Sequence, residues 1–171
     1  NNLQAIINLI QLQKNTIANG TNEIFNQSLD EITTRVKSIA TVHDLISRDS
    51  RGRSVINIKE IIKNVYGFTI GLTSNVILID DLEDILVPYN KATSIALVIS
   101  ELVSNCIKHA FAPDLENIIH LSCRKNADDI VLQVENNGNG MPQHLDPEKS
   151  PGLGISIVTS IIKHELSGSI K

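Results

Sequence analysis

A heptad seam of apolar residues between positions 22 and 48 constrains the fold of this chain more than any other feature. Two rows of side chains alternate in steps of three and four residues, which is the spacing of a helix that packs against other helices. The rows are Phe25, Ile32, Ile39 and Ile46, and Leu29, Val36 and His43. The sequence therefore predicts one long helix here, with His43 packed and hydrogen-bonded at a core position.

A second apolar stripe precedes this seam. Leu3, Ile6, Ile7 and Ile10 recur at helical spacing, and Asn19-Gly20 is a turn signal between the two stripes. Two helices joined by a short turn form an antiparallel hairpin, which alone leaves half of its apolar surface in water. Pairing with a second copy into a four-helix bundle would bury that surface. We therefore expect residues 1–48 to be a dimerisation hairpin.

The pattern changes after residues 49–54, which are polar and charged and which we interpret as a domain linker. Residues 55–171 mix strands and helices without strict alternation, so we expect an α+β domain with helices on one face of a mixed sheet. The predicted strands are 55–58, 76–79, 85–87, 118–122 and 130–135. The strands 76–79 and 85–87 are predicted to form a hairpin around Asp80-Asp81. The predicted helices are 59–68, 90–109 and a last one that starts near Gly154 and ends before Gly168.

The composition narrows the classes of partner. The net charge of −4 provides no basic stripe for nucleic acid. No apolar run approaches the ~20 residues of a membrane-spanning helix, so any membrane attachment would come from segments outside this chain. Cys106 and Cys123 lie far apart without metal-type spacing, which is typical of buried, reduced thiols in a cytoplasmic protein.

The segment from Glu101 to Phe111 carries the sharpest chemical signal. Glu101, Asn105 and Lys108 follow at i, i+4 and i+7, which places a carboxylate, an amide and a cation on one helix face, with His109 next to them. Such a face suits a magnesium–phosphate site, although a solvated helix face is the alternative. The opposite face is predicted to pack on the sheet through Leu97, Val98, Leu102 and Ile107.

Two glycine pairs follow, one after a predicted strand and one at the start of a predicted helix. Gly138 and Gly140 come directly after a predicted strand, where glycine lets the backbone approach a flat ligand closely, although a plain turn is the alternative. Gly152 and Gly154 open the last helix, whose first N–H groups can bind an anion. Residues 143–151 between the pairs are polar and could cover a ligand.

The three segments in this order resemble the asparagine box and the two glycine boxes of the Bergerat ATP-binding fold, which histidine kinases share with gyrase-type ATPases. The start Asn1-Asn2-Leu3-Gln4 looks like the end of the phosphoacceptor box in a kinase subfamily close to the HWE kinases. Residues 39–45 resemble that subfamily's second hairpin helix, and residues 101–111 resemble its asparagine box. The resemblance therefore covers nearly the whole chain.

The resemblance implies a sensor histidine kinase core that transfers the γ-phosphoryl group of ATP to a histidine and then to an aspartate of a response regulator. Its cofactors would be ATP and Mg²⁺, and its partners a second copy of the chain and a receiver domain. It also implies a role for each matching residue. Glu101 would be the catalytic base or a water-orienting carboxylate, and Asn105 would bind Mg²⁺ and phosphate. Lys108 and His109 would contact the phosphates. The adenine end would be formed by Asn136, Gly138 and Gly140, and the phosphates would be held by Gly152, Leu153 and Gly154.

Three departures from the family pattern matter. The phosphoacceptor histidine would lie just before Asn1, so we do not expect this chain alone to phosphorylate itself in the usual way. A final pair of strands would be expected beyond Ser169. The first glycine box has Asp where this chain has Asn136, and that carboxylate normally accepts a hydrogen bond from the adenine amino group.

These departures leave three readings open. The first is an ATP-dependent, homodimeric histidine kinase core. The second, motivated by Asn136, is a degenerate module that dimerises and docks a response regulator with little or no catalysis. The third is a Bergerat-fold serine kinase or ATPase of another class, which the helical hairpin disfavours.

Overall fold

A computed structural model describes residues 22–48, 54–70, 75–111, 116–138 and 153–170. Helix α1 spans Asn22–Arg48, β1 Val55–Asn57, α2 Ile58–Ile70, β2 Val76–Leu82 and β3 Leu86–Pro88. Helix α3 spans Tyr89–Asn105 and continues as a π-helical turn, Cys106–Ala110. Strands β4 (Asn117–Asn126) and β5 (Asp129–Asn136) follow. Helix α4 spans Leu153–Ser160 and continues as a second π-helical turn, Ile161–Glu165.

The strands form two small sheets. Strand β4 lies at the centre of the larger sheet, parallel to β2 and antiparallel to β5, while β1 and β3 pair antiparallel with each other. The mixed sheet is therefore confirmed, but the predicted hairpin of 76–79 with 85–87 is wrong. Strand β2 runs straight through Asp80-Asp81 to Leu82, because its polar residues lie along an exposed stretch of the strand and pair with β4.

The main core lies between the larger sheet and the helices α2 and α3. Its sheet side is Ile119, Leu121 and Cys123, and α3 contributes Ile95, Ile99 and Val103. Leu97 and Val98 lie instead in a second cluster with Ile39 and α4, and Leu102 packs against it. This cluster reaches the sheet only through Leu132 of β5, so the predicted packing of these three residues on the sheet holds only in part, while Ile107 packs against the main core. Helix α3 is covered on several sides, so its sheet face could not be read from apolar residues alone.

One face of helix α1 packs on the candidate ATP-binding domain, residues 55–171. Ile39 and Val42 are buried there, while Val36 is 37% exposed and His43 is exposed. The prediction of a packed core position for His43 is therefore wrong for the single chain. Val36 and His43 of that seam row face away from α3, and pairing of the row with a second copy stays a prediction.

The predictions for residues 1–21, including the first hairpin helix, lie outside the described residues. Within the described ranges, no helix combines the length and the apolar character that crossing a bilayer requires.

Candidate nucleotide site

Three chain segments meet where the sequence analysis places its candidate residues. They are the C-terminal end of α3 with its π-helical turn, the chain after β5, and the first turn of α4. Gly138 lies against the backbone carbonyl of Ala110, and Gly154 lies against the side chains of Glu101 and Asn105. The fold thus brings the asparagine-bearing helix together with one glycine of each pair.

Glu101 is buried and bound by a residue that the sequence analysis did not single out. Arg35 of α1 donates from Nε to one carboxylate oxygen at 2.5 Å and from Nη2 to the other at 2.9 Å. Arg35 is 1% exposed and Glu101 is 6% exposed. A bidentate guanidinium–carboxylate pair of this kind is among the strongest polar contacts in proteins. The carboxylate of Glu101 is therefore covered by α1, and its expected catalytic role stays a prediction.

Further contacts support the pairing of α1 with α3. The Ser38 hydroxyl donates to the Ser100 hydroxyl at 2.9 Å, and both side chains are buried. Ile39, one turn after Arg35, joins the second apolar cluster. Arg35, Ser38, Ile39 and Val42 follow at i, i+3, i+4 and i+7, so they share one helix face. That spacing was the sequence signal for Arg35, but the stronger heptad seam on the same helix concealed it.

Asn105 lies at the end of α3 and is half-buried. A methyl group in the Cβ position of Gly154 would lie 3.5 Å from its Oδ1 and 2.7 Å from Oε2 of Glu101. The missing side chain of Gly154 therefore brings the backbone of the first turn of α4 next to both polar groups. A carboxylate, an amide oxygen and a helix N-terminus in contact fit the phosphate and Mg²⁺ end of a nucleotide.

Lys108 and His109 lie on the π-helical turn, and both are exposed. They follow directly on Asn105, so the same end of α3 carries an amide and two basic side chains. The turn ends at Ala110, which is buried. This arrangement is compatible with the expected phosphate contacts of both residues, which stay a prediction.

Asn136 ends β5 and its side chain makes two hydrogen bonds. Its Oδ1 accepts from the Gly138 backbone N–H at 3.0 Å, and its Nδ2 donates to Cys106 Sγ at 3.5 Å. Burial raises the pKa of the Cys106 thiol above its ordinary value. The thiol is therefore neutral at pH 7, and it is a weak acceptor for the Asn136 amide.

Gly138 is required by close approach rather than by freedom of the chain. A Cβ at this position would lie 1.9 Å from the carbonyl oxygen of Ala110, well inside van der Waals contact. The same turn is held by Asn137, whose side chain accepts from the Ile118 N–H and donates to the Glu116 carbonyl. The chain after β5 is therefore anchored both to β4 and to the end of α3.

The remaining candidates fall partly outside the description. Gly140 and Gly152 lie outside the described residues. Leu153 is the first residue of α4, but its side chain is not among those described. Among the described residues, no group of three or more His, Cys, Asp and Glu side chains could hold a metal. A Mg²⁺ ion here would need the nucleotide phosphates and water as its other ligands.

Comparison with known proteins identifies both parts of the chain. Residues 1–70 match a family described as histidine kinase, and residues 90–171 match the histidine kinase-, DNA gyrase B- and HSP90-like ATPase family. The second family implies ATP binding.

Relatives with curated names match the chain as well. The sensor histidine kinase PdtaS of Mycobacterium tuberculosis is 33% identical over 99% of this chain and 34% of its own length. The blue-light-activated histidine kinase 2 of Erythrobacter litoralis is 30% identical over 45% of this chain and 22% of its own length. The chain thus spans about a third of the length of the PdtaS relatives.

A solved structure shows the same fold. The histidine kinase domain of an Erythrobacter litoralis blue-light-activated histidine kinase superposes with a TM-score of 0.71 at 16% identity, covering 95% of this chain and 83% of that one. The two family matches, which together cover most of the chain, place it in the histidine kinase family.

Proposed function

We propose that the chain is the ATP-dependent kinase core of a two-component system, which transfers the γ-phosphoryl group of ATP to a histidine and then to an aspartate of a response regulator. The observation that carries this proposal is the meeting of Glu101, Asn105 and Gly154 at one place. When bound, Mg²⁺-ATP supplies the phosphoryl group and a cation that offsets its charge. The chain's own residues bind and orient the nucleotide, and one of them takes up the proton.

At the phosphate end, Asn105 offers an amide oxygen to the cation, and Lys108 and His109 offer positive charge to the phosphate oxygens. The backbone of the first turn of α4 lies next to Asn105 and Glu101 at Gly154, because no side chain separates it from them. Free N–H groups at that helix start would bind phosphate oxygens. Gly152 and Leu153 belong to the same segment and take the same role.

The carboxylate of Glu101 is the candidate base, and its present contacts set a condition on that role. Both of its oxygens accept hydrogen bonds from Arg35. A base needs a free oxygen within hydrogen-bond reach of the proton that it takes. Glu101 therefore becomes available when α1 moves relative to α3, so the position of the hairpin helix controls the base.

The domain and partner assignments complete the proposal. Residues 1–48 form the dimerisation and phosphotransfer hairpin, with the phosphoacceptor histidine before Asn1, and residues 55–171 bind ATP after the linker 49–54. The histidine kinase family generally dimerises and signals to response regulators. For this chain we propose a homodimer through the hairpin, a receiver domain as the second partner, and a cytoplasmic location.

Calorimetric titration with Mg²⁺-ATP tests the proposed site. The Asn105→Ala chain should lose Mg²⁺-dependent binding and keep its fold, because Asn105 is half-buried at the ligand end and outside the apolar clusters. Asn64→Ala on the exposed face of α2 is the matched control and should bind as the wild type does. Wild-type affinity in Asn105→Ala would contradict the assignment.

A second function, a dimeric docking module for a response regulator with little or no ATP binding, is favoured by one observation. Asn136 replaces the family's Asp, and both its amide oxygen and its amide nitrogen make hydrogen bonds within the chain. A wild-type chain without measurable Mg²⁺-ATP affinity, beside an Asn136→Asp chain that binds, would favour this function over the first.

A further inference from the structure

The pair of Arg35 and Glu101 borders the phosphate end of the candidate site. A Cβ atom at Gly154 would lie 2.7 Å from Oε2 of Glu101, and Nη2 of Arg35 donates to that same oxygen at 2.9 Å. One carboxylate oxygen therefore separates the guanidinium from the backbone at the first turn of α4. Among the described side chains, Arg35 is the only cation that is buried.

The negative half of this pair lies against a helix start. The N-terminal end of a helix carries a partial positive charge and attracts anions. The carboxylate of Glu101 lies next to the first turn of α4 at Gly154, so it is the anion beside that helix start in the nucleotide-free chain. A phosphate group that binds at the same turn meets a like charge, and the contacts of the carboxylate must change to relieve the repulsion.

The guanidinium of Arg35 can bind either anion. Its N–H donors form a planar fork that matches phosphate as well as carboxylate. A terminal phosphate carries up to about two negative charges, against one on a carboxylate, so it is the stronger partner for a buried cation. Loss of Arg35 leaves Glu101 with the free oxygen that a base requires.

The other contacts between α1 and α3 do not depend on this pair. The Ser38 hydroxyl donates to Ser100 at 2.9 Å, and Ile39 lies in the second apolar cluster. The movement of α1 that frees Glu101 can therefore be confined to the Arg35 end of this helix face. An apolar pair of similar volume would hold the two helices at least as well, so stability alone does not explain a buried arginine here.

We propose that Arg35 is a further residue of the phosphate site, which exchanges Glu101 for the γ-phosphate of bound ATP and thereby frees the carboxylate to act as base. The inference rests on the proposed function, since it places ATP at this site. It goes beyond that function by naming the residue that distinguishes ATP from ADP.

Binding of Mg²⁺-ATP and Mg²⁺-ADP, measured side by side by calorimetry, tests the inference. The wild-type chain should bind ATP more tightly than ADP. Arg35→Met should reduce that preference by about tenfold, the value of one charge-assisted hydrogen bond. An unchanged preference would overturn the inference, because Arg35 would then be only a structural partner of Glu101.

Arg124→Met is the matched control, because it makes the same chemical change in an ion pair with Asp81 that is exposed on both sides. It should keep the wild-type preference for ATP. A preference that falls as far in Arg124→Met as in Arg35→Met would overturn the inference, since net charge would then explain the change.

Arginine ¹⁵N NMR of the wild-type chain provides a second test, which holds even if Arg35→Met does not fold. The Nε–H resonance of Arg35 should keep its position when Mg²⁺-ADP binds and shift when the β,γ-imido analogue of ATP binds with Mg²⁺. The resonance of Arg124 should move with neither nucleotide. An Arg35 resonance that responds equally to both nucleotides would overturn the inference.

The outcomes separate the inference from the proposed function. Binding of both nucleotides to the wild type, with no response of Arg35 to the γ-phosphate, overturns the inference and leaves the kinase site standing. Absence of binding of either nucleotide to the wild type overturns the inference together with the proposed kinase function. A preference for ATP that falls in Arg35→Met and persists in Arg124→Met supports both.

Discussion

The two ends of the candidate site are held in different ways. At the phosphate end, Glu101 is fixed by a charged, bidentate contact with Arg35, a residue 66 positions away in the chain. At the other end, which is the proposed adenine end and is called the base end below, Asn136 is fixed by neutral hydrogen bonds, one of them to a residue two positions away. The phosphate end therefore depends on the position of α1, whereas the base end depends on a local turn.

This difference separates two properties of the protein. Movement of α1 changes what Glu101 contacts and leaves the Asn136–Gly138 turn in place, because that turn is anchored to β4 and Ala110. We expect the state of the hairpin to control catalysis, and the turn after β5 to keep its geometry when α1 moves. Variants at each end should consequently affect different measurements.

The largest effect is expected from breaking the ion pair. Arg35→Met leaves the Glu101 carboxylate buried without its partner, which costs about 3–5 kcal/mol of unfolding free energy. Urea denaturation measures the loss. Arg35→Met combined with Glu101→Leu should recover most of it, because an apolar pair needs no charge compensation.

The exposed pair of Arg124 with Asp81 is the control for that experiment, since both side chains are 62% exposed. Arg124→Met should have little effect on unfolding, because water screens such pairs. An equally small effect of Arg35→Met would contradict the buried pair and remove the contrast between the two ends.

A smaller effect is expected at the base end from Gly138→Ala. The added methyl group meets the Ala110 carbonyl, and the backbone must shift to admit it. We expect a loss of about 1–3 kcal/mol, typical of overpacking, together with weaker nucleotide binding. Gly67→Ala in α2, where no atom lies within 4 Å of the new methyl group, should instead stabilise by about 0.5–1 kcal/mol. Thermal unfolding distinguishes the two signs.

Gly154→Ala tests whether Arg35 restrains the carboxylate. The new methyl group would lie 2.7 Å from Oε2 of Glu101, the end of a side chain that could move if it were not held by Arg35. We expect a loss of about 1 kcal/mol in unfolding free energy, at the low end of overpacking costs. The loss should shrink in an Arg35→Met background. Strict additivity of the two variants would show that Arg35 does not hold Glu101 in place.

The smallest effect on stability is expected from Asn136→Asp. The Gly138 N–H keeps an oxygen acceptor, and only the weak contact with Cys106 is lost. The unfolding free energy should change by less than about 1 kcal/mol. The urea midpoint checks this, and a large stability loss would mean that the Cys106 contact matters more than its length indicates.

The same difference explains which features sequence reasoning could find. The site's local parts were predictable: the helix with Asn105, the strand that ends at Asn136, and the helix that opens near Gly154 lie where periodicity and glycine spacing placed them. Each depends on neighbours within a few residues. The Bergerat-type fold followed from the order of these segments.

The long-range parts were not predictable in the same way. Strand β2 pairs with β4 rather than β3, and no local signal distinguishes the two partners. Arg35 reaches Glu101 only because α1 folds back on α3, and the heptad seam, which shares Ile39 with the face that carries Arg35, concealed its position. His43 belongs to that seam yet is exposed in the single chain, because the face that packs on α3 is the one with Ser38 and Val42.

The central claim, that Arg35 holds Glu101 in a buried pair, is tested most directly by ¹⁵N NMR of the arginine Nε–H groups in the nucleotide-free chain. The Nε–H of Arg35 should exchange with water far more slowly than that of Arg124, which is paired at the exposed surface. Replacement of Glu101 by Ala should remove the protection. Exchange of Arg35 as fast as that of Arg124 in the wild type would contradict the account.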